Sequence, residues 1–355
     1  MSPKSPPPFR RILDDLEARI ARADFRPGEP LPTRLELAVH YDAARATVDK
    51  ALAELARRGR VSGGSGKRTV VLERAAPSKT AIGVIWNWTP DQQSEGGEYL
   101  DLLFRGVREA CAEFLLEVHF RSAPFHTYAE LVAETDVHGL LLVRPDYADA
   151  GIVARMRREG VPAVTVPGCL DGVDAPGVAV DNAGGIAAAV EHLAQAGHRE
   201  IGFLGLTSTL PDHFERLQGF LATMASHGLP VRPEWMRLGH EPNPKRYTEA
   251  LAGWLAPGSC PTAVIASDFH MALALLDHLR SAGLAMPHDV SVITFDDPPA
   301  AAQLWPPLTA IQQPVPLIGY RGVQRLVEQI AGSEVPKRDL LSTRIVVRES
   351  VRRLA

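Results

Sequence analysis

Three kinds of residue in this chain have the types needed for catalysis or metal binding, and their spacing argues against each use. Cys111, Cys169 and Cys260 stand far apart among 355 residues. They form neither a disulfide framework nor a pair at zinc-ligand spacing, so they read as buried or semi-buried thiols. The twelve histidines include no HExxH arrangement, and no GxSxG, Walker A or GxGxxG motif accompanies them. Asp296-Asp297 is an adjacent carboxylate pair. Successive side chains on a strand point to opposite faces, which argues against a paired-carboxylate site. The expectation is a protein that is not an enzyme and that needs no metal or cofactor.

Charge points elsewhere. Residues 1–74 carry 15 Lys+Arg against 10 Asp+Glu, a net +5, while the whole chain is −4 and the remainder therefore −9. A basic head on an acidic body fits a nucleic-acid binder at the N-terminal end. With 45% hydrophobic and 23% charged residues, the composition is that of an ordinary globular protein. No apolar run approaches the ~18 residues that span a membrane. The opening MSPKSPPPFRRIL lacks an apolar signal core, so a cytoplasmic protein with no membrane partner is expected.

The elements that must position such a binder emerge from periodicity. Phe9, Ile12, Leu13, Leu16 and Ile20 have helical spacing. Arg26-Pro27-Gly28-Glu29-Pro30 breaks that helix, and Thr33 with Glu36 makes a capping-box pattern for a second. A third runs from Arg45 to Arg58 on Val48, Ala51, Leu52 and Leu55, ending at Gly59. Arg60–Ser62 and Thr69–Leu72 flank a Gly-rich turn and read as a hairpin. Three helices and a hairpin make a winged helix over 9–74, after a disordered tail at 1–8 and before a linker at 75–80. From 81 to 355, short apolar β-rich runs alternate with helical stretches, the pattern of βαβ units and parallel sheets. About 270 residues is long for one sheet, so two lobes are expected, with the binding site in the cleft beyond the strand C-termini.

The segment Leu31-Pro32-Thr33-Arg34-Leu35-Glu36-Leu37-Ala38, then Arg45-Ala46-Thr47-Val48-Asp49-Lys50-Ala51-Leu52 and Gly66-Lys67-Arg68-Thr69, resembles the GntR-type winged helix-turn-helix. The resemblance implies DNA contacts by Thr33, Arg34, Arg45, Thr47, Lys50, Gly66, Lys67 and Arg68. Arg45 and Thr47 open the recognition helix, where an Arg can pair with guanine O6 and N7 in the major groove. Lys67 and Arg68 on the wing can reach phosphates or the minor groove. Three positions depart from the pattern: Leu35 replaces an Arg that here stands at 34, Asp49 replaces a basic residue, and Arg68 replaces the second wing glycine. An acidic Asp49 near phosphates implies an atypical operator.

The remainder resembles the LacI/GalR regulator core, a two-lobed periplasmic-binding-protein-like fold. The resemblance rests on Val180-Asp181-Asn182-Ala183-Gly184-Gly185, Gly197-His198-Arg199-Glu200-Ile201-Gly202, Arg216-Leu217-Gln218-Gly219-Phe220, Phe295-Asp296-Asp297 and Pro307-Leu308-Thr309. It implies an α/β fold with two parallel-sheet lobes and three crossovers, placed near 168–176, 313–316 and 332–340. It also implies effector contacts from Trp86, Trp88, Tyr99, Arg216, Asp268, His270 and Asp296. Asp268 takes the place of either the Asp or the Asn of a family pair; in the second alignment Phe269 replaces the Asp and His270 enters the cleft. Asp91–Gly97 reads as a long connection able to act as a flap. The expected whole is a homodimeric sugar-responsive repressor of double-stranded operator DNA. A non-sugar ligand and a solute-receptor role are the alternatives.

Overall fold

In the computed structural model the described residues are 8–22, 24–57, 60–62, 68–72, 80–86, 90–206, 210–239, 251, 254–255 and 260–354. They fall in two compact units, Met1–Lys79 and Thr80–Ala355.

The first unit has helices α1 (Pro8–Ala21), α2 (Arg34–His40) and α3 (Arg45–Arg57), then strands β1 (Val61–Ser62) and β2 (Val70–Val71). The apolar stripes meet as their spacing requires. Ile12, Leu16, Val48, Ala51 and Leu55 are fully buried, with Leu37, Val61 and Val71 closing the core. Thr33 caps α2: its hydroxyl accepts from Glu36 N–H, and the Glu36 carboxylate accepts from Thr33 N–H at 2.7 Å. The strands pair antiparallel, Val61 against Val71, so a two-stranded wing succeeds the three helices.

Among the described residues the second unit holds two six-stranded sheets. The N-lobe strands are β3 (Ala81–Trp86), β4 (Glu117–Ser122), β5 (Gly139–Val143), β6 (Ala163–Val166), β7 (Gly177–Val180) and β13 (Arg338–Leu341), in the order β13-β7-β6-β5-β3-β4. Those of the C-lobe are β8 (Ile201–Leu206), β9 (Met236–Gly239), β10 (Ala263–Ala266), β11 (Ser291–Phe295), β12 (Thr309–Gln312) and β14 (Arg344–Val346), in the order β14-β12-β11-β10-β8-β9. All pairings are parallel except β12 with β14. The central strands β5, β10 and β11 are buried at every residue. That is why they read as continuous apolar runs: a parallel sheet is covered on both faces.

The helices that do the covering are α4 (Pro90–Glu113), α5 (Tyr128–Thr135), α6 (Ala150–Arg158), α7 (Asn182–Gln195), α8 (Pro211–Ser226), α9 (Phe269–Ser281), α10 (Pro299–Gln303) and α11 (Val315–Ile330). In the N-lobe, α4 and α11 approach backbone to backbone. A Cβ on Gly106 would lie 1.7 Å from Pro316 O, and one on Gly319 would lie 2.2 Å from Leu103 O. In the C-lobe, a Cβ on Gly219 of α8 would lie 2.7 Å from Ala183 Cα on α7.

Two of the expected crossover positions need correction. β7 joins the N-lobe sheet, so the first crossing falls at Asp181 rather than at 168–176. β13 pairs with β7 over four residues, so the third falls at 342–343 rather than at 332–340. Residues 168–176 join β6 to β7 within one sheet, and 332–340 lead from α11 into β13 of the same lobe. The second crossing lies at Gln313-Pro314, within the expected segment. Asp91–Gly97 is likewise not a loose connection, because α4 starts at Pro90 and runs through it.

Candidate functional site

In the first unit, α2 and α3 present the candidate DNA-contacting residues. Arg45 is exposed at the first position of α3, and Thr47 is half-buried two residues on. The Thr33 hydroxyl serves the α2 cap, whose hydrogen bonds hold the Glu36 carboxyl below its usual range. Arg34 Nε donates to Asp49 Oδ1 at 2.7 Å. The two departures from the family pattern therefore compensate each other, since the misplaced Arg neutralises the unexpected Asp. Lys50 folds back on α1, its ammonium 4.5 Å from the centre of the Phe9 ring. Arg68 is exposed beside β2. Gly66 and Lys67 lie outside the described residues, as does Trp88.

In the second unit, parallel strands end on one side of each sheet, and the cleft between the lobes collects the residues just beyond those ends. From the C-lobe come Asp212, His213 and Arg216 on the first turns of α8, Ser267-Asp268 after β10 and Asp296 after β11. From the N-lobe come Tyr99 on α4 and Arg144 after β5. Tyr99 lies within electrostatic range of Arg144, Asp212, Asp296 and Arg216, so these groups face one another.

Arg216 is 3% exposed and is held on every side. Its Nε donates to Asn182 Oδ1 at 2.9 Å, its Nη1 donates to the Ser267 carbonyl at 2.7 Å, and its Nη2 lies 3.7 Å from Asp212. The guanidinium stacks 3.8 Å above the Phe295 ring. Burial disfavours the Asp212 carboxylate, but His213 in its protonated form and the charges of Arg216 and Arg144 overcome that and hold its pKa well below the usual range. Burial pushes the His213 imidazole down to about 3, with Arg216 and Arg144 adding to the effect. It is therefore neutral at physiological pH.

Asp268 caps α9, accepting from Met271 N–H at 2.8 Å. Burial raises its pKa, and the nearby Asp296 adds to the shift. Asp296 has a left-handed backbone, φ +73°, and accepts from Gln313 Nε2 at the second crossing. Such a conformation costs about 1–3 kcal/mol unless a short polar side chain eases it. Asp297 turns away and pairs with Arg348 at 2.8 Å. The two carboxylates part, as their adjacency in sequence predicts.

Two polar atoms in the cleft are buried without a hydrogen-bond partner among the described residues: the Tyr99 hydroxyl and His213 Nδ1. Burial lifts the Tyr99 phenol well above its ordinary pKa. Unpaired buried groups are disfavoured in proteins, and here they mark where an incoming polar molecule could bond.

Of the other predicted residues, one packs within the N-lobe and one borders the cluster. Trp86 is half-buried, its ring packed against Phe104 at 5.0 Å and Phe120 at 6.4 Å in the N-lobe. His270 is exposed on the first turn of α9, beside Asp268. Sequence reasoning missed Asp212, His213, Arg144, Asn182 and Gln313. The signal for the first two was present: Pro211 opens a helix shortly after a buried strand, and polar residues in that first turn face the cleft. Among the described residues no cluster of His, Cys, Asp or Glu could hold a metal ion, and no helix is long and apolar enough to cross a membrane.

Two family models match the chain. Residues 8–71 match the bacterial regulatory proteins of the gntR family, and residues 190–351 match the periplasmic binding protein-like domain. The chain is 34% identical to the HTH-type transcriptional regulator MalR of Streptomyces coelicolor over 229 residues, 62% of this chain and 66% of that protein. It thus spans just under two thirds of that relative's length. It is 25% identical over 358 residues to the arabinose metabolism transcriptional repressor of Geobacillus stearothermophilus, with 95% of both chains covered. A solved LacI-family regulatory protein from Chloroflexus aggregans superimposes with a TM-score of 0.68 at 28% identity, covering 76% of this chain and 98% of its own. The chain belongs to the bacterial HTH-type transcriptional regulators that join a GntR-type helix-turn-helix to a LacI-type periplasmic-binding-protein-like domain.

Proposed function

We propose that this protein is a repressor of transcription whose operator binding is controlled by a small neutral ligand, a sugar or sugar derivative, held in the interlobe cleft. It acts by binding rather than by catalysis, in the cytoplasm, as a homodimer on a palindromic site, since one winged helix reads only a few base pairs. The observation that carries the ligand class is the pair of unpartnered buried atoms, Tyr99 Oη and His213 Nδ1, on opposite walls of the cleft. Both belong to groups that are neutral at pH 7. Around them the charged groups already have partners, Arg216 the Asp212 carboxylate and Asp296 the neutral amide of Gln313. A guest that supplies hydroxyls completes this site, whereas an added charge would have to displace existing pairs.

The DNA contacts proposed for Arg45 and Arg68 rest on their exposure, and that of Thr47 on its place in the first turn of α3. Arg34 and Asp49 approach DNA as a neutral pair.

A thermal-shift panel of neutral pentoses, hexoses and disaccharides tests the ligand class, and operator anisotropy on each hit tests the control. A sugar at 100 times its dissociation constant adds ~2.7 kcal/mol of stability and should lower operator affinity. A sugar that binds and leaves operator affinity unchanged sinks the control; stabilisation confined to charged ligands sinks the neutral-sugar class.

A further inference from the structure

Arg216 is joined to the opposite lobe by an unbroken run of hydrogen bonds. Its Nε donates to Asn182 Oδ1 at 2.9 Å. Asn182 Nδ2 donates to Glu215 Oε2 at 2.8 Å. Arg338 Nη2 donates to Glu215 Oε1 at 2.6 Å. Arg338 opens β13 in the N-lobe sheet, while Glu215 lies on α8 of the C-lobe. The last link is therefore an ion pair between lobes.

The middle link is directional. Asn182 is 2% exposed, and only one orientation of its amide offers oxygen to the guanidinium and N–H to the carboxylate. Helix packing sets the geometry. The close approach of α8 to α7 at Gly219 and Ala183 brings residues 215 and 216, one turn earlier, against the Asn182 that opens α7. Glu215 and Arg216 are adjacent on their helix and both reach the same amide, one at each end.

We propose that Asn182, Glu215 and Arg338 form a relay that couples a ligand seated at Arg216 to the angle between the lobes; this rests on the effector role assigned to the cleft above. A ligand acceptor that draws the Arg216 guanidinium into the cleft loosens its bond to Asn182. The amide then shifts, and Glu215 loses the Asn182 donor that holds it in place for Arg338. The three are positioning residues, since it is Arg216 that meets the ligand. The Glu215 and Arg338 side chains are 18% and 40% exposed. A part-exposed pair of this kind contributes modestly, which suits a contact that must form and break.

Spin labels at Glu109→Cys on α4 and Glu191→Cys on α7, with Cys260→Ser, measure the distance between lobes by pulsed electron resonance. Labelled chains are diluted into unlabelled full-length protein, with neither sugar nor DNA present. Arg338→Met and Arg216→Lys should each change the ratio of the populations at the shorter and longer lobe distances by about 2–5-fold, the range of an exposed pair. The double variant should shift no further than either alone. Asn182→Asp, which keeps the acceptor for Arg216 and removes the donor to Glu215, should match them if Arg216→Lys fails to fold. Arg280→Met, which removes a surface pair with Asp277, should change nothing. Additive shifts, a shift from Arg338→Met alone, or no shift at all overturns the relay. These outcomes leave the effector role intact, because that role stands or falls on operator release by a bound sugar.

Discussion

Arg45 and Arg216 are the same side chain in opposite settings. Arg45 stands exposed at the start of α3, whereas Arg216 is buried beneath the cleft and engaged by Asn182, Ser267, Asp212 and the Phe295 ring. The winged helix leaves its guanidinium in solvent. The cleft has already completed most of its own and leaves only neutral atoms over. The first arrangement separates recognition from stability, and the second ties them together.

The largest expected effect lies in the cleft. Arg216→Ala strands Asn182 Oδ1, the Ser267 carbonyl and the Asp212 carboxylate, and should lower the unfolding free energy by about 3–5 kcal/mol in a urea titration. A loss below about 1 kcal/mol would mean that the buried bonds do not hold the lobe. Next comes Arg45→Ala, which should weaken specific operator binding by about 1–3 kcal/mol while stability stays within about 0.5 kcal/mol. Anisotropy on operator and random DNA checks the first, and a melt checks the second. Equal losses on both DNAs would remove Arg45 from base reading.

His213 sharpens the comparison through pH. Its folded pKa, about 3, lies below the ordinary 6.5. Between those values the unfolded chain binds a proton that the folded chain refuses, so stability falls as pH drops below about 6.5. The slope from this residue is at most about 1.4 kcal/mol per pH unit. His213→Asn should flatten the stability profile between pH 6.5 and 4, and an unchanged profile would place the imidazole in water. The smallest effect belongs to Tyr99→Phe. Removing an unpartnered buried hydroxyl should leave the melting temperature unchanged or slightly higher, worth less than about 1 kcal/mol. The same variant should weaken whichever sugar the thermal-shift panel selects. A clear loss of stability would reveal a partner for the hydroxyl within the protein.

The sequence made the regular parts legible. Helical spacing located the α1–α3 core residues, and the Thr33/Glu36 pattern announced the α2 cap. Buried strands showed as apolar runs because they are covered on both faces. What failed depended on partners distant in sequence. Nothing local says that β7 stays in the N-lobe; its place is set by β13, about 160 residues later. Nothing local says that Trp86 meets Phe104 and Phe120. Arg144 and Asn182 carry no periodic signal, since each stands just past the end of a strand and acquires its place from the opposite lobe or the neighbouring helix. The compensating pair Arg34–Asp49 was visible as two departures from a pattern, but only spatial proximity joins them.

The three crossings also bear on how the chain is made. The N-lobe sheet needs β13, and α11 must seat against α4; the C-lobe needs β14 and the hydrogen bonds of Ser350 to Val292 and Thr309. Neither lobe can therefore close while the ribosome is still working through the middle of the message. Between the emergence of β7 and that of β13, at about 5–20 residues per second, a nascent chain waits roughly 8–30 s with the outer edge of β7 unpaired. That interval is the stretch of this protein's life in which a chaperone that shields strand edges has most to protect.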